Sequence, residues 1–225
     1  MIIAPLLWLA GMILRWAGIA TADLGPDQRA RLGRQPFAAP GQLAAYEQRS
    51  DLVTAGYAVF AAACLLMVFA VITFSKILAE RSPVLAQLGG IALVASLAAR
   101  LYYAGVDLTA FRLVDSLGLE AATAFVMDSY VDLSYGLAYV PVIASAGALL
   151  GGVLSAVAGW RTQTIGLLRC LLLLAWAWTF LGVLKESDGG AIRGALGLCL
   201  VFVPIGLTLL LPADRPPRTV HSRRR

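Results

Sequence analysis

The chain is poor in the side chains that most enzyme chemistry relies on. It has one histidine, His221, near its C-terminus. That argues against bis-histidine haem ligation, a His-bound zinc site and a Ser-His-Asp hydrolase. Its three cysteines, Cys64, Cys170 and Cys199, each fall within an apolar run, with no CxxC or Cys/His spacing. They read as small buried hydrophobes rather than metal ligands or a disulfide framework. No DDxxD motif is present, so the usual metal-diphosphate signature is missing. The expected cofactor and metal content is therefore none.

Charge is also scarce, at 14% of residues against 60% hydrophobic. A soluble domain of this size carries about 25% charged residues. Water cannot accept so much apolar surface, but a bilayer can. A spanning helix needs roughly 20 mainly apolar residues. Backbone groups at membrane depth must all be paired, which leaves helices or a closed barrel. The runs are continuous rather than alternating, so helices are expected.

Six runs meet this description: 2–22, 51–74, 84–106, 130–160, 164–184 and 191–211. The fold class is all-α, a polytopic membrane bundle of about six transmembrane helices over 1–211. A basic, disordered tail over 212–225 is expected to follow. Run one continues past Arg15 and lacks a basic leader, so it reads as a retained helix. Segment 23–50 is rich in glycine and proline and reads as a loop with one short helix near 42–49. Segment 107–127 is apolar but interrupted by Arg112, Asp115 and Glu120, which suits an amphipathic interfacial helix or a re-entrant segment. Pro141 is expected to kink run four.

The net charge of +5 owes much to Arg215, Arg218, Arg223, Arg224 and Arg225. Beside a spanning helix, such a tail reads as an anchor to anionic lipid, not as a nucleic-acid site. Six spans put both termini on one side, and the tail places that side in the cytoplasm of a multi-pass cell-membrane protein. The segments then inside hold eight basic residues and those outside hold seven. Arg29, Arg31, Arg34 and Arg49 of the first loop run against the bias.

Helical spacing lines up polar residues near one end of the runs. Arg100, Tyr103 and Asp107 share a face of run three. Asp128, Asp132, Tyr135 and Tyr139 share a face at the start of run four. Glu47, Asp51 and Thr54 share a face entering run two, and Arg15 approaches the same level. A charge inside the hydrocarbon costs about 2.5–3.5 kcal/mol on insertion scales, so Arg100 should pair with Asp128 or Asp132, or snorkel. Arg15 should pair with Glu47 or Asp51. Structural ion pairs and interfacial tyrosines would explain all of these residues. The functional alternative is a cavity lined by Arg100, Tyr103, Asp107, Asp132, Tyr135 and Tyr139 that binds the polar head of an amphiphile. Asp107, Asp128 and Asp132 are the candidates for proton chemistry, because a carboxylic acid with a like-charged neighbour in a low dielectric holds its proton.

Small residues recur at Gly147, Gly151, Ser155 and Gly159, and again at Gly190 and Gly194. Such ladders let helices approach closely, here within one chain in preference to a homo-oligomer. Trp160, Trp176 and Trp178 near run ends read as interfacial anchors.

Two long loops, 23–50 and 107–129, combine with short turns near Arg81, Arg161 and Asp188. This layout resembles a group of functionally uncharacterised bacterial six-helix membrane proteins of about this length. The resemblance implies the six-helix membrane fold and carries over no functional residue. Three functions compete. The first is a protein or accessory subunit that binds a lipophilic or amphipathic molecule, membrane lipid or a membrane partner. The second is a membrane enzyme using carboxylates on an isoprenoid or lipid substrate. The third is a proton-coupled transporter, which the lack of paired broken helices disfavours.

Overall fold

The computed structural model describes residues 1–32, 34, 38–135, 139–179 and 188–211, without the side chains of 130–135 and 141. It contains eight helices among these residues: α1 (Ile3–Ala20), α2 (Pro26–Leu32), α3 (Ala39–Ala79), α4 (Pro83–Leu117), α5 (Leu119–Tyr135), α6 (Val140–Arg161), α7 (Leu167–Trp178) and α8 (Gly189–Leu210). Among the described residues there is no strand, so the fold is all-α. Five helices, α1, α3, α4, α6 and α8, are long and apolar enough to cross a membrane. They mark a membrane protein. The fifth apolar run contributes α7, which is 12 residues long. The rest of that run, 180–184, and the basic tail over 212–225 lie outside the described residues.

Local chemistry sets several helix starts. Proline occupies the first turn of α3, α4 and α6. Its fixed φ suits that position, where its missing N–H costs nothing. Pro141 therefore begins α6 and does not kink a longer helix. Between α5 and α6, Tyr139 has left-handed backbone (φ 52°) and its side chain is exposed. At α8, the Asp188 carboxylate accepts the Ala191 N–H at 2.7 Å, an N-cap that satisfies one orphan donor. Segment 107–127 is not a separate element: it continues α4 to Leu117, turns at Gly118 and enters α5. Gly118 has φ +81° and ψ 163°, a conformation that side chains resist.

Six helices form a closed ring in chain order. α1 packs on α3, α3 on α4, α4 on α6, α6 on α7, α7 on α8, and α8 returns to α1. Glycine positions fix their directions. A Cβ on Gly11 would meet Phe60, and one on Gly18 would meet Val53, so α1 and α3 run antiparallel. Gly194 faces Trp176 and Thr179, while Gly197 faces Leu172, so α7 and α8 do the same. Gly206 meets Met1 and Ile2. One end of the ring thus gathers Met1, the α3–α4 turn, the α6–α7 turn and the end of α8. The other end carries α2, the start of α3, the end of α4 and α5.

Length explains this asymmetry. The 41 residues of α3 span roughly 60 Å at 1.5 Å per residue. That is about twice a hydrocarbon core of about 30 Å. Its first turns must project, and non-helical backbone at Arg49 (φ −137°, ψ 48°) separates them from the rest. The end of α4 projects beside them.

Two apolar cores result. The ring core includes Trp8, Phe60, Met67, Phe74, Leu93, Leu173, Trp176 and Phe202. Trp8 packs edge-on against both Phe60 and Trp176. Trp176 is thus a core residue, not an interfacial anchor, whereas Trp16, Trp160 and Trp178 are exposed. The second core joins Leu24, Leu43, Tyr46, Val53, Tyr57, Phe111, Val114 and Val126 at the projecting end.

The small-residue ladder of α6 serves contact within the chain. A Cβ on Gly147 would stand 2.7 Å from the Ala92 carbonyl oxygen, and one on Gly151 would stand 2.6 Å from Leu93. Ser155 is buried against Gly89. All three contacts are with α4. Gly159 instead receives Ile165 from the following turn. Cys64 and Cys170 are buried free thiols and Cys199 is half-buried. The Cys199 thiol donates to the Pro5 carbonyl at 3.2 Å.

Candidate functional site

Where the two cores meet, α1, α3 and α4 bring polar side chains together. Arg15 of α1 is only 9% exposed. Its guanidinium carbon lies 4.2 Å from the Tyr57 ring centroid and 4.9 Å from that of Phe60. Its Nη2 donates to the Tyr57 hydroxyl at 3.1 Å. The Asp107 carboxylate of α4 lies within electrostatic reach of the same hydroxyl. Arg100, on the same face of α4 as Asp107, is within electrostatic reach of Arg15, Cys64, Asp107 and Tyr103. Gly56 makes the approach possible, because a Cβ there would stand 2.9 Å from the Arg15 backbone nitrogen.

The expected partners of Arg15 are not its partners. Glu47 and Asp51 are both exposed. Arg15 is instead held by an aromatic hydroxyl and two ring faces. A cation over a ring gains about 2 kcal/mol or more when desolvated. Sequence spacing named Arg100, Tyr103 and Asp107 but missed Tyr57, which lies three residues beyond the Glu47–Asp51–Thr54 stripe. An apolar neighbourhood gave that tyrosine no polar signature.

The second stripe behaves differently. Asp128 is on α5 and exposed. Tyr139 has left the helix, so it no longer shares a face with Asp128, Asp132 and Tyr135. The side chains of Asp132 and Tyr135 lie outside the described residues, and so does any pairing of Asp132 with Arg100. Among the described residues no group of three His, Cys, Asp or Glu side chains could hold a metal ion.

Further toward the projecting end, Tyr46 donates to Asp115 Oδ2 at 2.9 Å, and Arg112 pairs with the same oxygen at 3.2 Å. Tyr46 also stacks on Phe111, with ring centroids 4.8 Å apart. Burial, then the bond to Asp115, pushes the Tyr46 phenol above its ordinary value.

The opposite side of α4 is apolar. A groove of about 560 Å³ runs between α4 and α5, lined chiefly by Leu101, Tyr102, Gly105, Val106, Thr109 and Phe125. Positions 101, 105, 109 and 112 recur at helical spacing, so Arg112 stands one turn beyond Thr109 on the groove's side of α4. Its side chain is 78% exposed. Gly105 leaves open space, with no heavy atom within 4 Å of an added Cβ.

Comparison with protein-family models, curated proteins and solved structures finds no match.

Proposed function

We propose that this is a multi-pass membrane protein that binds an amphipathic molecule in the α4–α5 groove. The apolar chain lies along Leu101, Gly105 and Thr109, and an anionic head reaches Arg112. The observation that carries this reading is the groove: an apolar channel flanked on α4 by the exposed Arg112 guanidinium. Its volume falls within the range of small-molecule sites, about 300–1,000 Å³. The Arg15–Tyr57–Asp107–Arg100 cluster lies on the other side of α4, where that helix packs on α3. In this reading six helices cross the cell membrane, α7 being the short one, and the end gathering both termini faces the cytoplasm.

Native mass spectrometry of protein released gently from its host membrane tests the binding reading. Wild type should carry a co-purified amphiphile, and Gly105→Leu, which fills the groove, should lose it. Equal retention by both proteins would refute the groove as the site.

A further inference from the structure

We infer that the opposite end of the ring carries a second, separate site, for the phosphodiester headgroup of an anionic phospholipid. It lies between the α3–α4 turn and the α6–α7 turn. A pocket of about 560 Å³ is lined there by Arg81, Ser82, Arg161, Thr162 and Gln163, together with the first residues of α4. It is predominantly polar, in contrast to the α4–α5 groove.

Two guanidiniums from different turns face this one space. Arg81 is held in place: its Nη1 donates to the Thr162 carbonyl at 3.0 Å, tying the two turns together. That bond uses one of five N–H donors and leaves the others for a ligand. Arg161 is exposed, and neither arginine forms an ion pair among the described residues. A planar fork of donors matches the oxygens of a phosphate. The α6–α7 turn is also fixed. Gln163 holds left-handed backbone (φ 57°), and its side-chain amide donates to the Trp160 carbonyl at 2.9 Å. Thr162 and Thr164 share a hydroxyl hydrogen bond of 2.7 Å. A non-glycine residue in that conformation is uncommon and persists where its surroundings impose it.

Location selects a lipid as the source of the phosphate. The pocket sits at the end of two long apolar helices, α3 and α6. Exposed Trp160 lies beside it, and exposed Lys76 lies on the preceding turn of α3. Tryptophan and basic side chains concentrate at headgroup level. An acyl chain attached to a phosphate held here would continue along the apolar exterior of the ring.

Native mass spectrometry of the full chain, titrated with dioleoylphosphatidylglycerol or dioleoylphosphatidylcholine, tests the assignment. Wild type should retain phosphatidylglycerol over phosphatidylcholine. Arg161→Gln should weaken that retention about fivefold, the worth of one cation at an anionic surface. Arg161 makes no bond that folding needs, so this variant separates binding from stability; Arg81→Gln would also release Thr162. In a Gly105→Leu background, where the α4–α5 groove is filled, the Arg161→Gln loss should persist, so failure here is distinguishable from failure of that groove. Equal phosphatidylglycerol retention by wild type and Arg161→Gln overturns the site. A rise in melting temperature with millimolar inorganic phosphate, lost in Arg161→Gln while phosphatidylglycerol retention is unaffected, also overturns it, because the pocket would then serve free phosphate.

Discussion

Arg15 and Tyr57 hold α1 against α3 in two ways at once: the guanidinium stacks on the ring and donates to its hydroxyl at 3.1 Å. The Asp107 carboxylate of α4 lies within electrostatic reach of the same hydroxyl. One phenol therefore faces charged groups from two neighbouring helices. Tyr57→Phe keeps the ring and removes the bond from Arg15. It should destabilise the detergent-solubilised protein by about 1.5–3 kcal/mol, the range for hydrogen bonds to charged groups. Thermal unfolding reads this directly. An unchanged melting temperature would mean that Arg15 is satisfied in another way.

Close approach of α1 and α3 makes a second prediction. Gly11→Ala would put a methyl group 2.9 Å from the Phe60 backbone. Overpacking of this kind costs about 1–3 kcal/mol. Gly105→Ala meets open space and should be neutral or slightly stabilising, since alanine is the better helix former. Equal losses of melting temperature in the two variants would contradict the tight α1–α3 interface.

Tyr46 predicts a pH dependence. Its phenol is shifted upward in the folded protein, so its stabilising contribution is complete below the ordinary tyrosine pKa of about 10. That contribution is lost as pH rises through the ordinary value toward the raised one. Tyr46→Phe, which also gives up the bond to Asp115, should melt below wild type at neutral pH. The gap should narrow above about pH 10. A gap that widens with pH would reverse the sign and contradict the shift.

The ring was readable from the sequence because each helix is written as a long apolar run, and each run's polar flanks mark where it must leave the hydrocarbon. The projecting core was not readable. Residues 107–117 carry Asp107, Arg112 and Asp115, too many charges for a span, and residues 39–48 hold Pro40 and Gly41, which read as a loop, so composition alone could not join them to α4 and α3. Pro141 was ambiguous for a related reason: proline fits a first turn as well as a kink, and only the backbone at Tyr139 decides. For the polar cluster, periodicity placed Arg100, Tyr103 and Asp107 on one face, because a helix fixes that relation internally. It could not choose between Asp51 and Tyr57 as the partner of Arg15, because that depends on the register between two helices. Gly11, Gly18 and Gly56 set that register, and it is visible only in the packed structure.

Topology gives a fourth prediction. In the orientation proposed above, with both ends of the ring's chain cytoplasmic, a green fluorescent protein fused after Leu211 should fluoresce. Alkaline phosphatase inserted after Ala38 should be active, since it needs an oxidising exterior to form its disulfides. The opposite pattern would invert the orientation and move the Arg81–Arg161 pocket to the outer face.

Binding in the α4–α5 groove is tested most directly by photocrosslinking with a diazirine-bearing fatty acid, followed by peptide mapping. The label should fall on peptides containing Leu101 to Leu113 and Phe125, decline with unlabelled fatty acid, and disappear in Gly105→Leu. Labelling spread evenly over the exterior of α1, α6 and α8, and unchanged in Gly105→Leu, would contradict the groove as a binding site.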